Sequence, residues 1–69
     1  MEQNRKDDSA LLGIGAALKT LRQNANISKR QMETASNIRR EQIEKIEKGR
    51  IAPTLRTVAA YLDALGIDF

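Results

Sequence analysis

Apolar residues recur along much of the chain with the spacing of amphipathic helices. The first such segment alternates steps of three and four residues, with apolar side chains at Leu11, Ile14, Leu18, Leu21 and Ala25. These steps place all five on one stripe of a helix, and Ser9 is a candidate N-cap for it. Because Gly13 and Gly15 each cost about 1 kcal/mol relative to alanine inside a helix, we expect the regular helix to begin near Ile14.

Two shorter helices with a tight turn between them are predicted in the middle of the chain. Ser28 opens a Ser-x-x-Gln capping box, which predicts a second helix over about 28–36. Asn37 tolerates the left-handed conformation that a sharp turn requires, and Gly49 is a natural C-cap for a third helix over about 39–48. Met32 and Ala35 are the apolar positions of the second helix, and Ile43 and Ile46 face inward on the third helix. Its outer side is crowded with charge.

A fourth helix is predicted after Pro53, which is a helix-start signal. Its buried stripe is formed by Leu55, Val58, Ala59, Leu62 and Leu65. Four amphipathic helices with short connections predict an all-α fold, a compact four- to five-helix bundle that contains a helix-turn-helix. Residues 1–8 have no apolar side chain after the first methionine and are predicted to form a flexible polar arm, which leaves 9–69 as one domain.

The 69 residues include no cysteine and no histidine. This excludes disulfides, thiolate and imidazole metal sites, and catalysis by a cysteine nucleophile or a histidine base. No metal or cofactor is predicted, and the remaining surface carboxylates and amines give an enzyme little support. The N-terminus is polar and no apolar run approaches the roughly 20 residues of a membrane span. We therefore expect a cytoplasmic protein that is not an enzyme and has no membrane partner.

The spaced positions of the chain resemble one known family. They are Ile14-Gly15-x-x-Leu18-Lys19-x-Leu21-Arg22, Ile27-Ser28, Asn37-Ile38, Ile43, Ile46-Glu47-Lys48-Gly49 and Pro53-Thr54-Leu55. Over about residues 11–66 this pattern resembles the lambda-repressor-like helix-turn-helix family, which includes the lambda repressor, Cro and the Xre-type regulators of bacteria and phages. The resemblance implies a DNA-binding domain whose third helix, the recognition helix, enters the major groove. It also implies a structural ion pair between Arg22 and Glu47.

The outer side of the recognition helix carries the residues expected to read DNA bases. Arg40, Glu41 and Lys45 match the family's base-contacting positions, and Glu44 lies on the same face. Arg40 can donate to guanine O6 and N7 and Glu41 can accept from cytosine N4, which predicts a half-site with a G·C pair. The alternative is that Glu41 pairs with Lys45, and Glu44 with Lys48, one helical turn apart on a solvated face.

Contacts with the DNA backbone are expected at the edges of the groove. The N-terminus of the second helix presents free amides and the positive end of a helix dipole, which suit a phosphate. The candidate backbone contacts are Ser28, Lys29, Arg39, Lys48 and Arg50. For Arg30 and Arg56, surface solubility is the favoured interpretation. The net charge of +3 and the pI near 9.7 fit a nucleic-acid binder, although many small domains are mildly basic for solubility alone.

Glu33 and Arg39 depart from the family pattern. The family usually has alanine where Glu33 stands, and a serine or threonine N-cap where Arg39 stands. The recognition helix is therefore expected to lack a cap from Arg39, a contribution worth about 1 kcal/mol. Because a lone buried carboxylate is prohibitive, Glu33 must reach solvent, pair with an arginine or supply the missing cap.

Together these features predict a small prokaryotic or phage transcriptional regulator, a repressor that binds double-stranded DNA sequence-specifically as a homodimer. Two recognition helices about 34 Å apart would then read a near-palindromic operator. The alternative is an antitoxin-like interaction module that sequesters a protein partner, a toxin or another effector, and also controls its own promoter. That alternative would be favoured by an exposed apolar patch around Tyr61, Leu65, Ile67 and Phe69.

Overall fold

The computed structural model describes the chain from Glu2 to Ile67, with side chains from Ala10 to Ile67. It contains the helices α1 (Glu2–Asn24), α2 (Lys29–Ser36), α3 (Arg40–Glu47) and α4 (Leu55–Ala64), and no strand in the described residues. Helix α1 packs on α3, and α2 packs on both α3 and α4. The predicted all-α bundle is confirmed, and α2 and α3 begin and end within one residue of their predicted bounds.

The first helix is longer than the sequence predicts. The segment 1–8, predicted as a polar arm, is helical from Glu2 onward, and Ser9 lies inside α1 rather than at its N-cap. Extending an existing helix fixes one residue for each new hydrogen bond, so it does not need the apolar face that an independent helix would need. Glutamate, glutamine, arginine and lysine in this segment are also favourable helix formers.

The face of α1 that packs on the rest of the protein differs from the predicted stripe. Leu18 is buried as expected, but Ile14 and Leu21 are 45% and 38% exposed. Among residues 10–24, the buried positions of α1 are Gly15, Leu18 and Arg22. Hydrophobic periodicity could not select this face, because it counts Arg22 as polar, whereas in the structure Arg22 is buried in an ion pair.

Gly15 is a point of close approach between α1 and α3. A Cβ atom there would clash with the carbonyl oxygen of Ile46 and would lie 2.9 Å from the carbonyl oxygen of Glu47. At Gly13 a Cβ atom would meet nothing within 4 Å. Gly13 therefore only weakens the helix, whereas Gly15 lets two backbones approach each other. Helix α1 is continuous through both glycines, so the prediction that it begins near Ile14 is wrong.

A small apolar core joins α2, α3 and the turn between them. Met32, Ile43 and Ile46 are at most 1% exposed, and Ile38 in the turn is 8% exposed. The chain bends at Asn37, whose φ of 64° is left-handed, as the sequence predicts. Because the apolar side of α3 faces this core, its opposite side faces solvent.

Leu62 and the C-cap residue Leu65 of the predicted stripe pack against the core, but the most buried residue of the fourth helix lies outside that stripe. Leu55, the first residue of the predicted stripe, is 71% exposed, whereas Tyr61 is completely buried. Leu55 lies in the first turn of α4, and the apolar residues of this helix that pack against the core begin at Ala60. Tyr61 tolerates burial because its hydroxyl has hydrogen-bond acceptors within reach. Phe69, the last residue of the predicted apolar patch, lies outside the described residues.

Candidate nucleic-acid interface

The inner side of α3 is held by a buried ion pair with α1. Arg22 and Glu47 form two parallel hydrogen bonds, from Nε to Oε2 at 2.8 Å and from Nη2 to Oε1 at 3.0 Å. Arg22 Nη1 also donates to the carbonyl oxygen of Ile27 at 2.8 Å. The Tyr61 hydroxyl donates to Glu47 Oε2 at 2.6 Å and lies 3.1 Å from the carbonyl oxygen of Leu18. Helices α1, α3 and α4 therefore meet at one carboxylate.

This network shifts the pKa values of its members. Burial acts to raise the pKa of Glu47, but the hydrogen bonds from Arg22 and Tyr61 and the charge of Arg22 outweigh it, so the pKa lies below the ordinary value of 4.5. Burial and the hydrogen bond to Glu47 raise the pKa of Tyr61 above its ordinary value of 10.0. Glu47 is therefore charged and Tyr61 neutral near pH 7. The hydrogen bonds from Arg22 and Tyr61 to Glu47 hold α3 against α1 and α4.

The outer side of α3 is charged and open to solvent. Arg40, Glu41, Lys45 and Lys48 are exposed and Glu44 is half-buried, and helical spacing places all five on one continuous face. Among the side chains of residues 10–67, ion pairs within 4.0 Å occur neither between Glu41 and Lys45 nor between Glu44 and Lys48. The alternative of mutually neutralising pairs along α3 therefore has no support from these contacts.

Glu44 pairs with α2 instead of with its own helix. Its Oε2 atom lies 3.2 Å from Nζ of Lys29, and the two side chains are 43% and 37% exposed. The hydrogen bond from Lys29 lowers the pKa of Glu44, so this carboxylate is charged at neutral pH. The structure thus pairs Lys29, which is predicted to contact a phosphate, with Glu44, which is predicted to contact a base.

Glu33 caps the N-terminus of α3 from the neighbouring helix. Arg39 occupies the N-cap position without a side-chain cap hydrogen bond. The backbone N–H of Arg40 donates to Glu33 Oε2 at 3.0 Å, and Glu33 Oε1 lies 4.0 Å from Nε of Arg40. The Glu33 side chain is 39% exposed. Each of the three predicted alternatives therefore applies to this carboxylate, because it reaches solvent, caps α3 and faces an arginine.

The N-terminus of α2 lies at one edge of this surface. The predicted capping box is confirmed, because Gln31 N–H donates to Ser28 Oγ at 3.1 Å and Ser28 N–H donates to Gln31 Oε1 at 2.8 Å. The N–H groups of Lys29 and Arg30 belong to the first helical turn, where backbone amides have no partner within the helix. A phosphate oxygen is a suitable acceptor for such amides.

The C-terminal end of α3 supplies further cations. Gly49 has a φ of 73°. Its N–H donates to the carbonyl oxygen of Ile46 at 3.0 Å, and the N–H of Arg50 donates to the carbonyl oxygen of Lys45 at 2.8 Å. This is the pair of hydrogen bonds of a Schellman motif, which needs a left-handed residue at the position of Gly49. The motif ends α3 between two exposed cations, Lys48 and Arg50.

A cleft of about 270 Å³ opens beside the outer face of α3. It is lined by Arg39, Glu41, Gln42, Lys45 and Ile51. Gln42 and Ile51 are not among the predicted site residues. Gln42 is three residues from both Arg39 and Lys45, so helical spacing alone could have placed it on the same stripe. Ile51 follows α3 in a loop, and no periodicity in the sequence points to it.

The chemistry of this surface is that of guanidinium, ammonium, amide and carboxylate groups, which can bind phosphates and donate to the edges of bases. The described residues contain no group of three or more histidine, cysteine, aspartate or glutamate side chains placed to hold a metal ion. In the same part of the chain, no helix combines the length and the apolar composition that crossing a membrane requires.

Helix α2, the left-handed turn at Asn37 and helix α3, which packs on α2, have the order and connection of a helix-turn-helix. A family model described as a helix-turn-helix domain matches residues 14–68. The chain therefore belongs to this helix-turn-helix family.

A relative with a curated name supports the same assignment. The chain is 34% identical over 65 residues to a protein of Haemophilus influenzae (strain ATCC 51907 / DSM 11121 / KW20 / Rd) that is named "Uncharacterized HTH-type transcriptional regulator". The similarity covers 94% of this chain and 66% of the relative, so the chain spans a little under two thirds of that protein's length. No solved structure gives a significant match to the chain.

Proposed function

We propose that the protein binds double-stranded DNA sequence-specifically as a small prokaryotic or phage transcriptional regulator, a cytoplasmic repressor of the lambda-repressor-like type. The observation that carries this proposal is the division of α3 into a buried inner side and an exposed, charged outer side. Its support comes from the family and from the name of the Haemophilus relative. In this proposal the outer side of α3 enters the major groove.

Base reading is assigned to Arg40, Glu41 and Lys45, with Glu44 beside them. The Arg40 side chain is 55% exposed and its guanidinium suits guanine O6 and N7, while the Glu41 carboxylate suits cytosine N4. Lys45 lies one turn after Glu41 and borders the same cleft. A half-site with at least one G·C pair follows from these donors and acceptors.

Backbone contacts are assigned to both edges of this surface. At one edge, Ser28 and Lys29 lie at the N-terminus of α2, where amides and the helix dipole favour a phosphate. Arg39, Lys48 and Arg50 supply cations along and beyond α3, and all three are exposed. Contacts of this kind set affinity and position on the duplex, and they make binding depend on salt.

We further propose that two copies bind one operator. Large apolar side chains remain exposed at Leu12, Ile14 and Leu21 on α1 and at Leu55 and Ile67 near the ends of α4. Contact between two copies would remove such surface from water. Sedimentation of the protein with and without its operator measures the number of copies directly.

The interaction-module alternative has less support from the described residues. Tyr61 is completely buried and Leu65 packs against the core, so two members of the predicted apolar patch lie inside the protein. Ile67 is exposed, at 39%. Binding to a toxin or another effector therefore remains the second interpretation.

Selection of duplexes from a random DNA pool tests the proposed function. The pool is bound at near-physiological salt, where non-specific affinity is suppressed, and the survivors are sequenced. A two-fold symmetric motif with half-sites about one helical turn apart is expected. A single half-site would contradict the two-copy proposal, and the absence of any enriched motif would contradict sequence-specific binding and favour a search for a protein partner.

A further inference from the structure

Glu33 connects the two helices of the helix-turn-helix at both ends of the turn. Its backbone carbonyl accepts from the N–H of Asn37 at 2.9 Å, which closes the C-terminus of α2. Its side chain accepts from the backbone N–H of Arg40 at 3.0 Å, which opens α3. One residue of α2 therefore sets where α3 begins relative to α2.

The same carboxylate also faces the side chain of Arg40. Glu33 Oε1 lies 4.0 Å from Nε of Arg40, and both side chains are partly exposed, at 39% and 55%. A guanidinium has five N–H donors, of which Nε carries one and the two Nη atoms carry four. With its Nε edge toward Glu33, Arg40 keeps the Nη donors for another acceptor, as bidentate contact with guanine requires.

We propose that Glu33 is a positioning residue for base recognition, which caps the recognition helix and holds the Arg40 guanidinium in the orientation that reads guanine. This rests on the proposed function. A free arginine side chain loses conformational freedom when it is fixed on a base, and an arginine already held by a carboxylate loses less. The Glu33 charge also opposes phosphates, so it favours the specific contact over indiscriminate attraction to DNA.

The test compares Glu33→Gln with Asp63→Asn. Glutamine keeps an oxygen that can accept from the Arg40 N–H but loses the negative charge that holds the guanidinium. Asp63→Asn removes the same charge from an exposed position on α4, where none of the site residues lies. For each protein, the dissociation constant is measured for the selected operator and for the same duplex with the Arg40-dependent G·C pair replaced by A·T.

The ratio is the dissociation constant of the A·T duplex divided by that of the selected operator, so a larger ratio means a stronger preference for the operator. Glu33→Gln is expected to reduce this ratio by about 1.4- to fivefold, the range that exposed ion pairs contribute. Asp63→Asn should leave the ratio unchanged. In an Arg40→Ala background, Glu33→Gln should have no further effect on the ratio. The proposal is overturned if Glu33→Gln leaves the ratio unchanged, or if it lowers the ratio equally when Arg40 is absent.

A DNA-free measurement separates this proposal from the proposed function. In the free protein, Glu33→Gln should lower the NMR order parameter of the Arg40 Nε–H bond relative to wild type and Asp63→Asn. If wild type selects no DNA motif but this order parameter falls, the proposed function fails while the Glu33–Arg40 contact stands. An order parameter that is the same in all three proteins would contradict the positioning of Arg40 by Glu33.

Discussion

Two of the charged contacts between α3 and its neighbours are arginine–glutamate pairs, and they differ in burial and geometry. On the inner side, Arg22 and Glu47 are 6% and 3% exposed and form two hydrogen bonds, the shorter at 2.8 Å. On the outer side, Arg40 and Glu33 are 55% and 39% exposed, and their charged groups are 4.0 Å apart. An arginine and a glutamate therefore form a buried, hydrogen-bonded pair on the inner side and an exposed, more distant pair on the outer side.

This difference in burial assigns the two pairs different roles, one in the stability of the fold and the other in DNA recognition. The residues of a buried ion pair cannot reach DNA, and removal of one of them leaves the charge of the other buried and unpaired. An exposed pair contributes little to stability, but its arginine can turn toward an incoming base with only a small loss. Substitutions on the inner side should therefore change folding, and substitutions on the outer side should change the choice of DNA sequence.

The largest effect is expected for Glu47→Ala. This change leaves the Arg22 guanidinium buried without its carboxylate and removes an acceptor of the Tyr61 hydroxyl, so it should cost about 3 to 5 kcal/mol of unfolding free energy. In a domain of this size that loss consumes most of the stability. Glu41→Ala, at an exposed carboxylate on the same helix, should change stability by no more than about 0.5 kcal/mol. Urea denaturation followed by circular dichroism compares the two, and similar midpoints would contradict the structural role of Glu47.

The two glycines of α1 should respond in opposite directions to alanine. Gly15→Ala places a methyl group against the backbone of α3, so it should destabilise the fold by about 1 to 3 kcal/mol or more. Gly13→Ala meets no neighbour and should stabilise the helix by about 0.5 to 1 kcal/mol. Thermal denaturation of both variants measures the signs. A stabilising Gly15→Ala would show that α1 and α3 are further apart than the structure has them.

The buried network should also limit stability at both extremes of pH. The pKa of Glu47 is lowered on folding, so its contribution is complete above 4.5 and is lost as the pH falls below that value. The pKa of Tyr61 is raised on folding, so its contribution is complete below 10.0 and is lost as the pH rises above that value. The free energy of unfolding should therefore fall as the pH drops below 4.5 and again as the pH rises above 10.0. Tyr61→Phe should remove the Tyr61 share of the alkaline loss, and an alkaline limb identical to wild type would contradict the assignment.

Much of the fold follows from local signals in the sequence. The Ser28 capping box, the left-handed Asn37 and the inward Ile43 and Ile46 are all decided within a few residues of the chain, and the structure has each of them as predicted. The face of α1 is different, because it depends on which neighbour the helix meets. A buried Arg22 takes a place that periodicity reserves for an apolar residue.

The candidate site shows the same limit. Helical spacing places Arg40, Glu41 and Lys45 on one face, because that relation lies within a single helix. The partner of Glu44 is Lys29, fifteen residues earlier on α2, and no spacing rule within α3 can reveal it. The cap from Glu33 could be anticipated only because Arg39 lacks a suitable side chain of its own.

The most direct test asks whether the outer face of α3 chooses the DNA sequence. Duplex selection is repeated with Arg40→Ala and with Arg56→Ala, which removes an equal charge from an exposed position on α4. Arg40→Ala should relax the preference at one base pair per half-site and cost about 1 to 3 kcal/mol on the wild-type operator, whereas Arg56→Ala should keep the wild-type motif. An unchanged motif for Arg40→Ala, or equal and sequence-independent losses in both variants, would contradict base reading by α3.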